Sequence, residues 1–589
     1  MLQKSFPFCI KCSHFKYVTQ IQSRIYSMNS KTTQVKTGGI AILSSSSSPH
    51  PIEELNVDVL IIGSGPIGCT FARKLVEAGH KVLMIDAGAQ LSKRPGAHLK
   101  NAFLYQRNVN LFASVIRGHL QGLSVPSNKA PVITLDPGAY QVDLKKYVGF
   151  VMNNQNPEQD PNKNLDGIGV TYGVGGMTTH WTCATPRHHP TIERNNLIPA
   201  SEWDRLYTEA EKLLNTHHDQ FDGSIRHTVV RETLQAEFKE LQAPYHVQNL
   251  PLAVERRKDN DEFVTWSGAD TVLGKLADGP LDHEPFILKP HHRCTRLIRS
   301  ADGSRIEFAE VENLMEWKTL YVHADTYILA VNAMLTPQVL FNSGIRPPAL
   351  GRYLSEQPLA FCQIVLKQSI VDKIPTDRRF EERVRKHREK NPKDPVPFPI
   401  HDPEPQVWIP VSEGRPWHCQ IHRDAFNYGD FAPNVDGRVI VDLRWFGIVQ
   451  QRRENRIFFS EVYKDAFGMP QPTFEFELND EERSKQHEMM GDMLRAANVL
   501  GGFLPGSQPQ FMPPGLPIHV CGTVRVGDNP ETSVVDTNSK VWGIDNLYLG
   551  GNGLHAVGNA SNPTLSSVCL ALRASEHIVA THQAKTANK

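Results

Sequence analysis

The stretch GVGGMTTHWTCATPRHHP, Gly173 to Pro190, runs from a glycine loop straight into a histidine held between Thr179 and Trp181. Imidazole titrates nearer neutrality than other side chains, so it serves as base, nucleophile or metal ligand. The chain has 25 histidines, so residue type alone decides nothing and context must. His180 closes the glycine loop. His188 and His189 lie beyond Pro186 without partners at metal-ligand spacing; they are expected at the surface, and no metal site is expected. His519, in GLPIHVCGTVRVG, and His555, in GGNGLHAVGN, stand in unusual glycine-rich settings, and Asn562 shares a loop with His555. A positioned neutral histidine takes a hydroxyl proton, and a nearby amide donates to the oxygen that loses it.

A second motif lies in VDVLIIGSGPIGCTFARKLVEAGHKVLMIDAG, Val57 to Gly88. Val59 to Ile62 reads as a buried parallel strand, and Ala72, Leu75 and Val76 recur at helical spacing. Between them stands Gly63-Ser64-Gly65-Pro66-Ile67-Gly68, and Asp86 follows 18 residues after Gly68, at the end of a second strand. That order is the dinucleotide fingerprint. Gly63 permits the turn, Gly65 admits the pyrophosphate, Gly68 lets helix and strand pack, and Asp86 accepts from ribose hydroxyls. The helix N-terminus offers unpaired N–H groups and a positive dipole end to the phosphates. A first unit so near the N-terminus, with a C-terminal segment returning to it, points to FAD over NAD.

The elements that must position these residues are spread along the chain. Asp325–Ile345 and Val541–Ile578 read as further strand-turn-helix units of the nucleotide domain, the last with a helix starting near Asn562 and Pro563. Residues 355–515 are rich in prolines, aromatics and β-type runs such as GRVIVDLRWFGIVQ and NRIFFSEVY, an antiparallel sheet domain carrying the substrate side. The expected class is α/β plus α+β: a discontinuous Rossmann-like FAD-binding domain with an antiparallel-sheet substrate-binding domain. The expected divisions are a leader over 1–52, FAD domain over 53–235, a mixed part over 236–354 that returns to it at about 285–350, the substrate domain over 355–515, and a closing FAD part over 516–584. Within the substrate domain, 366–405 is an excursion, and its charged run Asp372–Pro397 is expected to be solvated surface.

Composition excludes other classes. Lys plus Arg and Asp plus Glu are both 63, so nothing attracts a nucleic acid, and no apolar run reaches membrane-spanning length. The nine cysteines show no zinc spacing and are expected to be buried thiols. The first 52 residues carry Lys4, Lys11, Lys16, Arg24, Lys31 and Lys36 and no acid. They lack the apolar centre of a secretory signal and read as a transit peptide, a disordered extension, or a start upstream of Met28.

The chain resembles the glucose-methanol-choline oxidoreductases, and among them the pyranose 2-oxidases of fungi. GVGGMTTHWTCATPR, NPEQDPNKNLDG, PWHCQIHRDAFNYG, MPQPTFEF, GGFLPGSQPQFM and SNPT carry the resemblance, in order, from Val57 to Ile578. It implies that His180 bonds FAD covalently, that Thr182 approaches the reactive flavin edge, and that His519 and Asn562 are the catalytic pair, His519 being preferred to His555 as base. It also implies sugar contacts at Gln420 and His422, a gate of Asp424, Phe426 and Tyr428, and a sugar or loop contact at Arg444. The implied reaction oxidises aldopyranoses at C2, with O2 or a quinone as acceptor, in a homotetramer inside the cell or at its periphery. A dehydrogenase of a related sugar, glycoside or polyol and an idle flavin-binding protein are the alternatives. Pro517, Val524, His555 and Asn427 depart from the family pattern and leave the preferred sugar and its regiochemistry open.

Overall fold

The computed structural model describes residues 53–108, 111–113, 115–116, 120–126, 155–422 and 435–587. The leader over 1–52 and the gate residues Asp424, Phe426 and Tyr428 lie outside these.

Five parallel strands form the centre of the nucleotide sheet, in the order Phe286–Lys289, Val82–Ile85, Glu53–Ile62, Lys318–Leu329 and Leu547–Leu549. They come from widely separated parts of the chain, so the sheet is discontinuous. Val59 to Ile62 pair with Val82 to Ile85 on one side and with Thr326 to Leu329 on the other. All four are buried, which is why that run carries no polar alternation. The strand Lys318–Leu329 is long enough to serve two neighbours. Its first half pairs antiparallel with Ile306–Asn313, and its end pairs parallel with Leu547–Leu549. The helices Pro66–Glu77 and Thr564–Ala587 pack against each other, and Ala200–Leu214 packs on the latter.

The second sheet is antiparallel. Its core order is Leu359–Leu366, Ile440–Gly447, Trp417–His422 and Gln406–Ile409. Alternation along each strand gives it two different faces. Ala360, Cys362, Ile364, Cys419, Ile421, Val441, Leu443 and Trp445 pack with Met489, Met493, Ala496, Ala497 and Leu500 of the helix Asp480–Leu500. Each large apolar side chain removed from water there contributes about 2 kcal/mol. The intervening residues His418, Gln420, His422, Asp442, Arg444 and Phe446 take the other face, and Gln420 pairs with Arg444 as His422 does with Asp442. This buried polar face is the one turned toward the site, through Gln420, Arg444 and Phe446.

Three expectations change. NRIFFSEVY forms the strand Arg456–Lys464, but it pairs with Pro470–Glu475 in a separate two-stranded ribbon rather than with the large antiparallel sheet. The charged excursion contains a helix, Glu381–Lys390, which is mostly exposed but buries Val384 against Ile225, Phe380 and Phe398. His188 and His189 are not at the surface: they are 2% and 6% exposed. The seven described cysteines are buried, and none is joined to another in a disulfide. Among the described residues, no helix is long and apolar enough to cross a membrane, and no group of His, Cys, Asp and Glu is arranged to hold a metal ion.

Candidate active site

One cavity runs from the first glycine turn to the antiparallel sheet, with Gly65 and Asp86 at one end and Gln420, Arg444, His519 and Asn562 at the other. At the first end the backbone dominates. Gly63 has φ of 104°, and a Cβ there would lie 2.5 Å from the Ala330 carbonyl oxygen, so only glycine makes this turn. A Cβ on Gly65 would meet no protein atom within 4 Å, which leaves room beside the backbone for a diphosphate. The helix Pro66–Glu77 begins there with no side-chain cap, so its first N–H groups are left to a ligand. Arg293, on the cavity wall, has Nε and Nη1 buried without a protein partner, donors suited to an anion. These features fit FAD.

Asp86 ties the turn together. Its Oδ2 accepts from the Ser64 N–H at 3.0 Å and the Ser64 hydroxyl at 2.6 Å, and Oδ1 accepts from the Gly88 N–H at 2.8 Å. The Ser64 hydroxyl oxygen in turn accepts from the Gly175 N–H at 3.0 Å, which brings the glycine loop to the first turn. Gly176 lines the cavity, and the short helix Gly176–Thr179 delivers His180 to its wall, with Thr182 beyond. Thr179 spends its hydroxyl proton on the Gly176 carbonyl at 2.8 Å, so its oxygen accepts from His180 Nδ1 at 3.0 Å. Nε2 then carries the lone pair and accepts from the Thr171 hydroxyl at 3.2 Å. Trp181 is locked by its Nε1 to the Ser267 carbonyl at 2.8 Å and by His98 Nε2 on its own carbonyl at 2.9 Å.

At the other end side chains do the work. His519 Nδ1 faces Gln357 Oε1 at 2.8 Å. The Gln357 amide cannot be reversed, because its Nε2 donates to Asn559 Oδ1 at 2.8 Å and to the Ser561 carbonyl at 3.1 Å. Nδ1 therefore holds the proton and Nε2 the lone pair. Asn562 Nδ2 donates to that Nε2 at 3.2 Å, and Asn562 Oδ1 accepts from Gln420 Nε2 at 2.5 Å. Behind Gln420 stand His418, at 3.2 Å, and Trp408, whose Nε1 donates to His418 Nδ1 at 2.9 Å. Burial drives His519 down to about 3, with His188 adding to the effect, so it is a neutral base. The residue before it, Ile518, is β-branched at φ of 59°, a strained placement held by the Gly515 carbonyl and by the bond from the His519 N–H to Glu356 Oε2 at 2.9 Å. Burial pushes the Glu356 carboxyl up to about 8.

The structure thus brings together Gly63, Gly65, Asp86, His180, Thr182, Gln420, Arg444, His519 and Asn562 around one cavity. Gly68 packs under the turn, where a Cβ would lie 2.0 Å from the Gly63 carbonyl oxygen. Arg444 is buried beside Asp442, at 3.4 Å. His422 is fully buried, one alternation step beyond Gln420, and is not among the described residues of the cavity wall. His555 is also off that wall: its Nε2 bonds Ser567 Oγ at 2.9 Å behind the loop that carries Asn562. Sequence reasoning missed Gln357, Glu356, Arg293 and His418. Only His418 left a signal, through its two-residue spacing from Gln420.

Residues 56–115 match the FAD binding domain family, and residues 451–571 match the GMC oxidoreductase family. A pyranose 2-oxidase of Tricholoma matsutake is 45% identical over 535 residues, covering 89% of this chain and 93% of that protein. A C-glycoside 3-oxidase of Microbacterium trichothecenolyticum is 32% identical over 537 residues, 89% of this chain and 96% of that protein. The solved structure of a formate oxidase of Aspergillus oryzae RIB40 covers 90% of this chain and 99% of its own, with a TM-score of 0.61 at 15% identity, a likeness of fold. A dinucleotide turn, a polar sheet face and a neutral base on one cavity agree with sequence matches over most of the chain: it is an FAD-dependent oxidoreductase and belongs to the pyranose 2-oxidase family of the GMC oxidoreductases.

Proposed function

We propose that the chain oxidises aldopyranoses, D-glucose and related sugars, at C2 to 2-keto sugars, with O2, giving hydrogen peroxide, or a quinone as acceptor. The observation that carries this reading is the lone pair on His519 Nε2, buried on the wall of the cavity whose other end fits a dinucleotide. The sugar C2 hydroxyl gives its proton to Nε2, and Asn562 Nδ2 donates to the oxygen that becomes the ketone. When bound, FAD supplies the two-electron acceptor for the C2 hydrogen and returns the electrons to oxygen or quinone. Gln420 fixes the Asn562 amide through Oδ1. Gln420 and Arg444, both on the cavity wall, orient sugar hydroxyls.

Gly63, Gly65, Gly68 and Asp86 would hold the ADP half of FAD, and Thr182 would meet its reactive edge. His180 would bond the cofactor covalently, through Nε2, the nitrogen that carries the lone pair. The working assembly is a homotetramer. Anaerobic mixing with D-glucose should bleach the flavin, and the product should be the C2 ketone. A flavin that no common aldopyranose bleaches sinks the reading, and a C3 ketone moves the chain to the chemistry named for its 32% identical relative. Flavin fluorescence should travel with the polypeptide on a denaturing gel after acid precipitation, and His180→Ala should abolish it; retention in that variant removes the covalent assignment.

A further inference from the structure

Asn562 comes from a loop just ahead of the helix Thr564–Ala587. A side-chain amide on a loop is aimed correctly only when the backbone beneath it is fixed. Here the fixing group is a carboxylate. Glu193 is 2% exposed. Its Oε1 accepts from the Ala560 N–H at 2.9 Å and the Ser561 N–H at 2.8 Å. Its Oε2 accepts from the Ser561 hydroxyl at 2.9 Å and from its own segment, the His189 N–H, at 2.7 Å. Four donors on two oxygens satisfy the carboxylate, and among the described residues no ion pair joins it. Beside this loop the His188 and His555 rings lie 5.3 Å apart, and the Pro563 carbonyl accepts from the Ser567 N–H at 2.9 Å. The Ser561 carbonyl receives Gln357, the residue that sets the His519 tautomer. The backbone at Ala560 and Ser561 is thus held by buried side chains, and Glu193 holds the most of it.

We propose that Glu193 is a positioning residue: its carboxylate fixes the backbone at Ala560 and Ser561 and so aims the Asn562 amide at His519 Nε2 and the substrate oxygen. Glu193 follows His180 by 13 residues, so one segment sets both the cofactor side and the amide side of the reacting centre. The inference rests on the role proposed above for Asn562. Glu193→Gln preserves shape but sets an NH2 group against N–H donors or leaves them one acceptor short.

The test uses the full flavin-loaded chain with Glu193→Gln, Asn562→Ala and the double variant. Glu193→Gln should slow anaerobic flavin bleaching by D-glucose roughly tenfold to hundredfold, with the sugar concentration for half-maximal rate within about twofold of native. Deuterium uptake at the Ala560 and Ser561 amides should rise about tenfold or more. In the Asn562→Ala background Glu193→Gln should add nothing to the rate loss, because it acts through the amide already removed. Full multiplication of the two losses, or unchanged uptake at those amides, overturns the proposal. Asn562→Ala that bleaches at the native rate overturns the role of Asn562 instead, a separate failure. If Glu193→Gln does not fold, Ser561→Ala removes one bond of the same set, and it must show the same pattern at smaller size for the proposal to stand.

Discussion

The two ends of the cavity are built on opposite plans. The dinucleotide end is built chiefly on one local unit, Glu53 to Ile85 with Asp86, joined by Arg293 and the glycine loop, and acts mainly through backbone: a turn no side chain permits, an uncapped helix start and space beside Gly65. The reacting end gathers Gln357, Gln420, His519 and Asn562 from separate segments and acts through side chains whose orientations are set by a chain of hydrogen bonds. Backbone geometry is shared with the fold, so damage at the first end removes cofactor and stability together. Side-chain chemistry is separable from the fold, so damage at the second end removes rate and leaves the holoprotein standing.

The largest effect expected is at the second end. His519→Ala should lower the rate of flavin reduction by about a thousandfold, within the range general bases supply, while flavin content and melting temperature stay near native. A loss under tenfold would make another group the base. Next, Gly63→Ala should cost about 3 kcal/mol and most of the bound flavin, because the new methyl group would press on the Ala330 carbonyl from a backbone at φ of 104°. If its flavin-to-protein ratio and melting temperature match native, the contrast between the two ends collapses. Third, Gln357→Leu should slow flavin reduction roughly tenfold to hundredfold without releasing flavin, since the lost acceptor frees His519 to carry its proton on Nε2, the wrong nitrogen. An unchanged rate would show that the tautomer is set elsewhere.

The same contrast explains what the sequence made legible. The first end was readable from Gly63 to Asp86 because its elements are consecutive and its constraints local. The alternation in HCQIH and DLRWF is a local property of strand period, but which strands meet is not. That is why NRIFFSEVY was grouped with the large sheet, although its nearest partner, Pro470–Glu475, captures it first. His188 and His189 look like surface because two histidines after a proline resemble a solvated turn; they are buried because His188 packs against His555 and His189 stacks on Tyr245, both far away in sequence. Gln357 and Glu356 carry no motif, and their roles exist only because Ser355 pairs with Cys521 and brings them beside His519.

The smallest effects expected are those of pH, and they separate rate from stability at the reacting end. Burial holds His519 and His555 near about 3 and His188 near about 4, all below the ordinary value of 6.5. A base that is neutral down to such values gives flavin reduction with no acid limb at 6.5, flat from neutral pH to about pH 4.5. Stability behaves differently. Below 6.5 the unfolded chain takes up protons that the folded chain refuses, so each of these histidines makes stability fall as pH drops from 6.5 toward 4. Glu356 acts in the opposite direction. Its folded value, about 8, lies above the ordinary 4.5, so its contribution is complete below 4.5 and is lost as pH rises toward 8. Glu356→Gln, which keeps one acceptor oxygen and cannot ionise, should therefore flatten the decline of melting temperature between pH 5 and 8 while leaving the acid-side decline in place. If melting temperature in the variant still falls with rising pH as steeply as in the native chain, the buried acid is not Glu356. If flavin reduction in the native chain shows an acid limb near 6.5, His519 is exposed to protons in the working state, and the reacting end opens further than its packing indicates.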